Sequence, residues 1–176
     1  MDAGPCKSDC HYTDQTTLGR IQMLKRICFV WIVVGIVLAG CGQPVRTVKR
    51  VDDYKAEARA DVVFMDVQEA LTFAGSDSVL FLDIREGEEL VKDGKIPGAL
   101  HIPRGMLEFM IDPTSSMHND ALRPERMIIV YCETGGRSLL ATKMAMDMGL
   151  NEARLLDGGF RAWEAIEAPI ERMGQP

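Results

Sequence analysis

The sequence predicts an α/β protein whose parallel sheet is covered by helices on both faces. Two near-continuous apolar runs of strand length, Ser78 to Ile84 and Met127 to Tyr131, are typical of strands buried on both sides. Segments with helical spacing alternate with these runs, as in sheets built from crossover connections. Functional residues are therefore expected at the carboxyl ends of the strands, where such folds bind their ligands.

The folded domain is expected to span residues 61–176. It opens with a short strand from Val62 to Met65 and a helix whose start, Asp66 to Glu69, has the Asp-x-x-Glu form of a helix N-terminus. Gly75 is expected to stop that helix. Residues 41–60 mix charges with few large apolar side chains, and we interpret them as a tether with some helical character near its end.

A second helix is predicted from Ser138 to Met148, with Gly149 after it and a third short strand at Arg154 to Leu156. Leu140, Met144 and Met148 recur at four-residue intervals on this helix. That spacing predicts that the methionines belong to the core and not to a cofactor site.

Composition places the chain among globular proteins. It has 176 residues, 47% hydrophobic and 26% charged, which suits one domain of ordinary size. The net charge of −6 and the lack of a basic run argue against nucleic acid as a partner, because nucleic-acid binders present a basic face to the phosphates.

Residues 23–40 have the layout of a secretion signal. Lys25 and Arg26 precede an apolar stretch, Ile27 to Ala39, that is shorter than the roughly 20 residues a membrane-spanning helix needs. Small residues follow immediately, so a cleaved signal peptide is favoured over an uncleaved anchor.

The end of this stretch, Leu38 to Cys41, resembles the lipobox of bacterial lipoproteins, in which the cysteine is acylated and becomes the first residue of the mature protein. The resemblance implies a lipid anchor on Cys41 that holds the protein to a membrane of the cell envelope. The residue after the cysteine is Gly42. An aspartate at this position would favour retention in the inner membrane. In a Gram-negative cell the glycine therefore implies the periplasmic face of the outer membrane.

Residues 1–22 are polar and acidic and fit poorly before a signal peptide, so we interpret them as a misassigned start or a disordered extension. Met23 lies directly before the basic residues of the signal. Cys6, Cys10 and His11 have no fourth candidate ligand, and no metal site is expected there.

Cys132 stands apart from the other four cysteines, which all lie in the first 41 residues. Removal of residues 1–40 would take away four basic and three acidic groups, giving a net charge of −7. With Cys41 lipidated, Cys132 would be the one free thiol. An unpaired cysteine in an oxidising compartment is a candidate reactive group.

The segment after the second apolar run, residues 132–138, is predicted to surround the sulfur with backbone amides. The glycines at 135 and 136 allow positive φ angles, and amides at a helix start stabilise a thiolate. Arg137 is expected to brace the loop carbonyls or to hold an anionic substrate. The carboxylate of Glu133 would raise the pKa of the thiol unless it points outward.

These residues resemble the active-site loop of the rhodanese family, Cys-x-x-Gly-x-Arg followed by Ser or Ala. Three further motifs of that family occur in family order. They are the Asp-x-Arg segment at Asp83 to Glu86, the Gly-His-Ile-Pro-Gly-Ala segment at Gly94 to Pro103, and the closing Gly-Gly-x-x-x-Trp at Leu156 to Trp163. In the Gly-His-Ile-Pro-Gly-Ala segment, Lys95 replaces the usual histidine. The resemblance spans about residues 62 to 170 and implies the rhodanese-like three-layer fold.

The resemblance implies a sulfurtransferase that moves a sulfane sulfur from thiosulfate or a persulfide donor to a thiol or cyanide, through a persulfide on Cys132 and without a cofactor or metal. Its partners would be a small sulfur-containing anion or thiol, or a sulfur-carrier protein. Asp83 and Arg85 would support the neighbouring loops. The residues implied to line the loop and bind substrate are Glu133, Thr134, Gly135, Gly136, Arg137 and Ser138.

Two other functions stay open. Phosphatases and arsenate reductases of the same fold use five residues between cysteine and arginine to surround a tetrahedral oxyanion, whereas this chain has four. The second function is that of a non-catalytic rhodanese module at the cell envelope, which binds a partner or senses redox state through Cys132. Formation of a persulfide on Cys132 distinguishes both from a sulfurtransferase.

Overall fold

The computed structural model describes residues 48–172. The predicted extension, the signal peptide and Cys41 lie outside these residues. None of the helices in the described part of the chain is long and apolar enough to cross a membrane.

A parallel sheet forms the centre of the described region. Its five strands are β1 (Phe64–Met65), β2 (Val79–Asp83), β3 (Leu100–His101), β4 (Met127–Tyr131) and β5 (Ala153–Leu156). They lie in the order β1-β5-β4-β2-β3, and every neighbouring pair is parallel. The predicted α/β class with a parallel sheet is therefore confirmed. The short strand β3 was not predicted, because two residues carry no periodicity.

Helices cover both faces of this sheet. In the described chain they are α1 (Val51–Asp61), α2 (Val67–Leu71), α3 (Gly87–Asp93), α4 (Leu107–Ile111), α5 (Gly136–Asp147) and α6 (Gly159–Ala165). The predicted start of α2 is confirmed, since the Asp66 side chain accepts a hydrogen bond of 2.8 Å from the Gln68 amide.

The sheet separates two apolar clusters, because successive residues of a strand point to opposite faces. Leu80, Leu82, Ile128 and Val130 pack with residues of α4 and α5 on one face. Phe81, Ile129 and Tyr131 pack with residues of α2 and α6 on the other, where Phe81 meets Trp163 edge to face. The result is a three-layer arrangement, and both β2 and β4 are buried on each face.

Helix α1 differs from the tether predicted over residues 41–60. Ala58 is buried and packs with Val62, Leu139 of α5 and Leu155 of β5. A small side chain at this position lets α1 lie close to α5. Residues 51–60 are therefore part of the packed structure, although their charged composition resembles that of a linker.

The predicted core face of α5 was correct in part, because Leu140 and Met144 pack against core clusters and Met148 does not. The buried residues of this helix include Leu139, Ala141 and Ala145, whereas Met144 is only partly buried and Met148 is 40% exposed. Met148 lies beyond the last residue of the helix, and small residues face the sheet because α5 packs closely against β4 and β5. The helix also begins at Gly136, two residues before the predicted start.

Candidate active site

Cys132 follows the last residue of β4 and lies at the carboxyl edge of the sheet. Its sulfur accepts hydrogen bonds of 3.4 Å from both the amide and the hydroxyl of Ser138. The backbone amides of Thr134 and Gly135 also act on the sulfur, since they lower the pKa of the thiol. The side chain is only 1% exposed, so the segment 132–138, which we call the Cys132 loop, encloses the sulfur.

Burial raises the pKa of the Cys132 thiol, because it removes water from around the charged form. The hydrogen bonds from Ser138, Thr134 and Gly135 act in the opposite direction and outweigh burial, so the pKa lies below its ordinary value. The loop therefore favours a thiolate.

Gly135 gives the loop the backbone conformation that this donor arrangement needs. Its φ is +91°, in the left-handed region that glycine adopts without strain. The turn at Gly135 leads directly into α5. It brings the Ser138 hydroxyl to 3.2 Å from the Gly135 carbonyl and 3.4 Å from the sulfur, so its single hydrogen serves either acceptor.

A second glycine pair, Gly158 and Gly159 at the start of α6, supports the Cys132 loop from outside. A Cβ on Gly159 would lie 2.5 Å from the Cys132 carbonyl oxygen, so only glycine fits this contact. The amide of Phe160 donates to the Cys132 carbonyl at 2.8 Å, and that of Arg161 to the Glu133 carbonyl at 3.0 Å. With its carbonyls held by α6, the loop can direct its amides towards the sulfur.

Arg137 does not brace the loop carbonyls as one expectation had it. Its guanidinium instead makes two hydrogen bonds to the carboxylate of Glu89 in α3, at 2.6 and 2.7 Å. This bond from Arg137 holds the pKa of Glu89 at about 2. The same pairing, together with the nearby Cys132 sulfur, raises the pKa of Arg137.

Glu133 does not oppose the thiolate in the way its position in the sequence suggests. Its carboxylate lies 2.5 Å from Nε of Arg161 and 3.5 Å from Nη1 of Arg85. Two guanidinium groups therefore balance its charge. The carboxylate is therefore turned towards Arg85 and Arg161, an orientation that the sequence left open.

Asp83 and Arg85 form an ion pair that is fully buried at the end of β2. Nη2 of Arg85 donates to Asp83 at 2.7 Å and to the carbonyl of Gly94 at 2.6 Å. The guanidinium also lies over the Phe160 ring, 4.0 Å from its centroid. Arg85 thus connects β2, Gly94 and α6 beside the Cys132 loop. Its side chain is buried away from solvent.

Reasoning from the sequence did not identify Glu89, Phe160 and Arg161 as residues of the site. Glu89 lies 48 positions from its partner Arg137, and neither periodicity nor spacing indicates such a pairing. The amide of Phe160 acts through the backbone, so its side chain gives no signal. Thr134 likewise contributes its amide, while its side chain is exposed to solvent. Cys41 lies outside the described residues.

A cysteine held at the end of a central parallel strand, with an arginine five positions later, is an arrangement suited to nucleophilic chemistry by a thiolate. The model of the rhodanese-like domain matches residues 61–166. The chain belongs to the rhodanese-like domain family.

Known proteins of this family resemble the chain over most of their own length. The thiosulfate:glutathione sulfurtransferase of Homo sapiens is 31% identical over 106 residues, which are 56% of this chain and 90% of that protein. A protein of unknown function from Rhodopseudomonas palustris, described as a possible tyrosine phosphatase, is 36% identical, with a TM-score of 0.68 over 74% of this chain and 100% of its own. The polysulfide-sulfur transferase homodimer of Wolinella succinogenes is 25% identical, with a TM-score of 0.55 over 69% and 86%.

Proposed function

We propose that the protein is a sulfurtransferase that carries a sulfane sulfur as a persulfide on Cys132. The observation that carries this proposal is the set of amide and hydroxyl donors around the Cys132 sulfur. These donors favour a thiolate, and they would also stabilise the negative charge of a persulfide. A protein that only packed a small apolar side chain here would not need them.

The reaction takes place in two displacements. The Cys132 thiolate attacks the outer sulfur of thiosulfate, a new S–S bond forms, and the original S–S bond breaks with its electron pair leaving on sulfite. An acceptor thiolate or cyanide then attacks the outer sulfur of the persulfide. The Cys132 thiolate leaves with its electron pair and is restored. The same first step with a persulfide donor releases a thiolate in place of sulfite.

The sulfur donor is either thiosulfate or a persulfide. The names of relatives support both, since one acts with thiosulfate and glutathione and another with polysulfide. Arg137 offers a positive charge near the sulfur, but Glu89 already neutralises it. A dianion would have to compete with that carboxylate, which favours a donor of lower charge.

A phosphatase is the second candidate, because a relative of 36% identity is described as a possible tyrosine phosphatase. The Cys132 loop has four residues between cysteine and arginine, and its arginine is paired with Glu89. Both features disfavour a tetrahedral phosphate. We expect no hydrolysis of p-nitrophenyl phosphate above that of the Cys132→Ser variant.

The deciding experiment mixes the purified protein with thiosulfate and measures the mass of the peptide that contains Cys132. We expect the gain of one sulfur atom, its removal by cyanide, and neither change in Cys132→Ser. Folding of the variant is checked by circular dichroism. The absence of a persulfide with thiosulfate, polysulfide and glutathione persulfide alike would favour the non-catalytic module.

We also propose that the chain is a lipoprotein of the cell envelope, anchored through Cys41 and facing the periplasm from the outer membrane in a Gram-negative cell. The support is the basic pair, the short apolar stretch and the lipobox-like ending described above. Mass spectrometry of the membrane fraction should find a mature N-terminus at acylated Cys41. A Cys41→Ser protein of unchanged size and membrane attachment would contradict this.

A further inference from the structure

A cleft of about 260 Å³ lies between α1 and the Cys132 loop. The Cys132 loop contributes Thr134, Gly135 and Gly136 to its wall, and α1 contributes Lys55 and Arg59. The amides of Thr134 and Gly135 help to lower the pKa of the Cys132 thiol. The cleft therefore borders the Cys132 loop and shares Thr134 and Gly135 with the surroundings of the sulfur, whereas Lys55 and Arg59 have no part in the sulfur chemistry proposed above.

Lys55 and Arg59 lie one turn apart on α1 and so present their charges on the same side of the helix. Within residues 48–172 neither side chain forms an ion pair, whereas the other cations of α1 and its preceding residues, Lys49 and Arg50, are paired with carboxylates. The guanidinium of Arg59 lies over the Phe64 ring, 5.7 Å from its centroid. The cations are thus held at the cleft without a counter-ion from α1.

Lys55 adds its positive charge beside the start of α5. Its ammonium lies 3.8 Å from the point where a Cβ on Gly136 would be, beside the first residue of α5. The start of a helix carries partial positive charge, so the two repel each other. Asp157 is the one carboxylate of the cleft wall, and its side chain accepts from the Gly158 amide at 3.0 Å. Two cations against one carboxylate leave the cleft with net positive charge.

The rest of the wall indicates an organic anion. Phe64, Leu139 and Leu155 line the cleft and suit an aliphatic chain better than an inorganic ion. The volume is slightly below the roughly 300–1,000 Å³ of sites that enclose a drug-sized ligand, so it accommodates one arm of a molecule. Helix α1 precedes the residues matched by the family model, except for its last residue, so these cations are additions outside the family core.

We infer that this cleft binds the carboxylate-bearing arm of the acceptor, a small thiol with carboxylate groups, through Lys55 and Arg59. This inference rests on the proposed sulfur transfer for its second displacement. The carboxylate lies between the two cations while the thiol reaches the persulfide on Cys132. The cleft then selects acceptors by charge, and the donor step is independent of it.

The test compares glutathione, which carries two carboxylates, with 2-mercaptoethanol, which carries none. In the double variant Lys55→Gln and Arg59→Gln, KM for glutathione should rise about tenfold, as expected for the loss of two partly exposed charge pairs. KM for 2-mercaptoethanol and the rate of persulfide formation from thiosulfate should stay unchanged. Arg123→Gln is the matched control for Arg59→Gln, because it removes an exposed cation that has no ion pair in the described region.

Equal changes for both thiols, or none for either, would overturn the inference. A changed KM for thiosulfate alone would assign the cleft to the donor and also overturn it. Calorimetric titration with S-methylglutathione, which cannot accept sulfur, separates this inference from the proposed function. Binding that is lost in the double variant supports the cleft even if the protein forms no persulfide. No binding to the unaltered protein, together with an unchanged KM for glutathione, rejects it.

Discussion

Glu89 of α3 and Arg137 of α5 are joined by two hydrogen bonds of 2.6 and 2.7 Å, although they lie 48 positions apart in the chain. The pair connects a helix after β2 to the helix that begins in the Cys132 loop. Its side chains are 27% and 40% exposed, so water weakens the attraction, and we expect it to stabilise the fold by about 1 kcal/mol or less.

The contribution of Glu89 to the free energy of unfolding should depend on pH. Its pKa in the folded protein is about 2, below the ordinary 4.5, so the stabilisation is complete above pH 4.5 and is lost as the pH falls towards 2. Urea unfolding of the unaltered protein and Glu89→Gln should therefore differ at pH 7 and converge near pH 2. A difference that does not change with pH would show that the charge of Glu89 is not what stabilises the fold.

Releasing Arg137 from Glu89 should favour a dianionic donor. In Glu89→Gln the guanidinium keeps its charge and loses its counter-ion, so KM for thiosulfate should fall several-fold. Arg137→Gln should raise it. The double variant completes the cycle and should resemble Arg137→Gln alone, since Glu89 acts on the donor only through Arg137. A fall in KM that persists in the double variant would contradict this.

The thiol of Cys132 should titrate below the ~8.5 of a free cysteine. The rate of alkylation by iodoacetamide, measured at the Cys132 peptide over a pH series, gives the pKa. Ser138→Ala removes the hydroxyl donor but keeps the amide, so it should raise the pKa and leave the melting temperature nearly unchanged. A titration at or above the free value in the unaltered protein would exclude a loop that stabilises the thiolate.

Glu133→Gln should affect stability more than reactivity. The carboxylate balances Arg161 and the buried Arg85, so its loss leaves Nη1 of Arg85 without a nearby charge. We expect a loss of about 1–3 kcal/mol in unfolding free energy, and little change in the pKa of Cys132. A large fall in that pKa with unchanged stability would restore the view that Glu133 opposes the thiolate.

Gly159→Ala should damage the site beyond the cost of backbone strain. Gly98→Ala is the matched control, because the two glycines have similar φ angles of +64° and +73° but a Cβ on Gly98 would meet nothing within 4 Å. Each variant should lose roughly 1–2 kcal/mol from the left-handed conformation. In Gly159→Ala alone the new methyl group would push against the Cys132 carbonyl, so the thiol pKa should rise. Equal pKa values in the two variants would show that this contact does not shape the loop.

The fold was predictable because its evidence is local. The apolar runs that became β2 and β4 are long enough to identify buried strands, and Cys132 directly follows the second of them. The packing of α1 was not predictable, because it depends on the single small residue Ala58 meeting α5. The core position expected for Met148 was also wrong, because helical spacing shows which residues share a face but not which face meets the sheet.

The charges around the loop were the least predictable part of the candidate site. Glu133 is adjacent to Cys132 in the chain, yet its carboxylate is turned towards Arg85 and Arg161. Glu89 is distant in the chain, yet it holds Arg137. Sequence proximity therefore misjudges an electrostatic effect whose sign depends on where a side chain points.

The hydrogen bonds from the amides of Phe160 and Arg161 to the Cys132 loop have a consequence for the order of folding. Phe160 lies 28 residues after Cys132, so during synthesis the cysteine emerges from the ribosome before the segment that shapes its surroundings does. Until α6 docks, the loop lacks its outer support, and the thiol should behave like that of an ordinary unfolded peptide. The surroundings that favour the thiolate are thus completed late in folding, so we expect the thiol of the nascent chain to be less reactive than that of the folded protein.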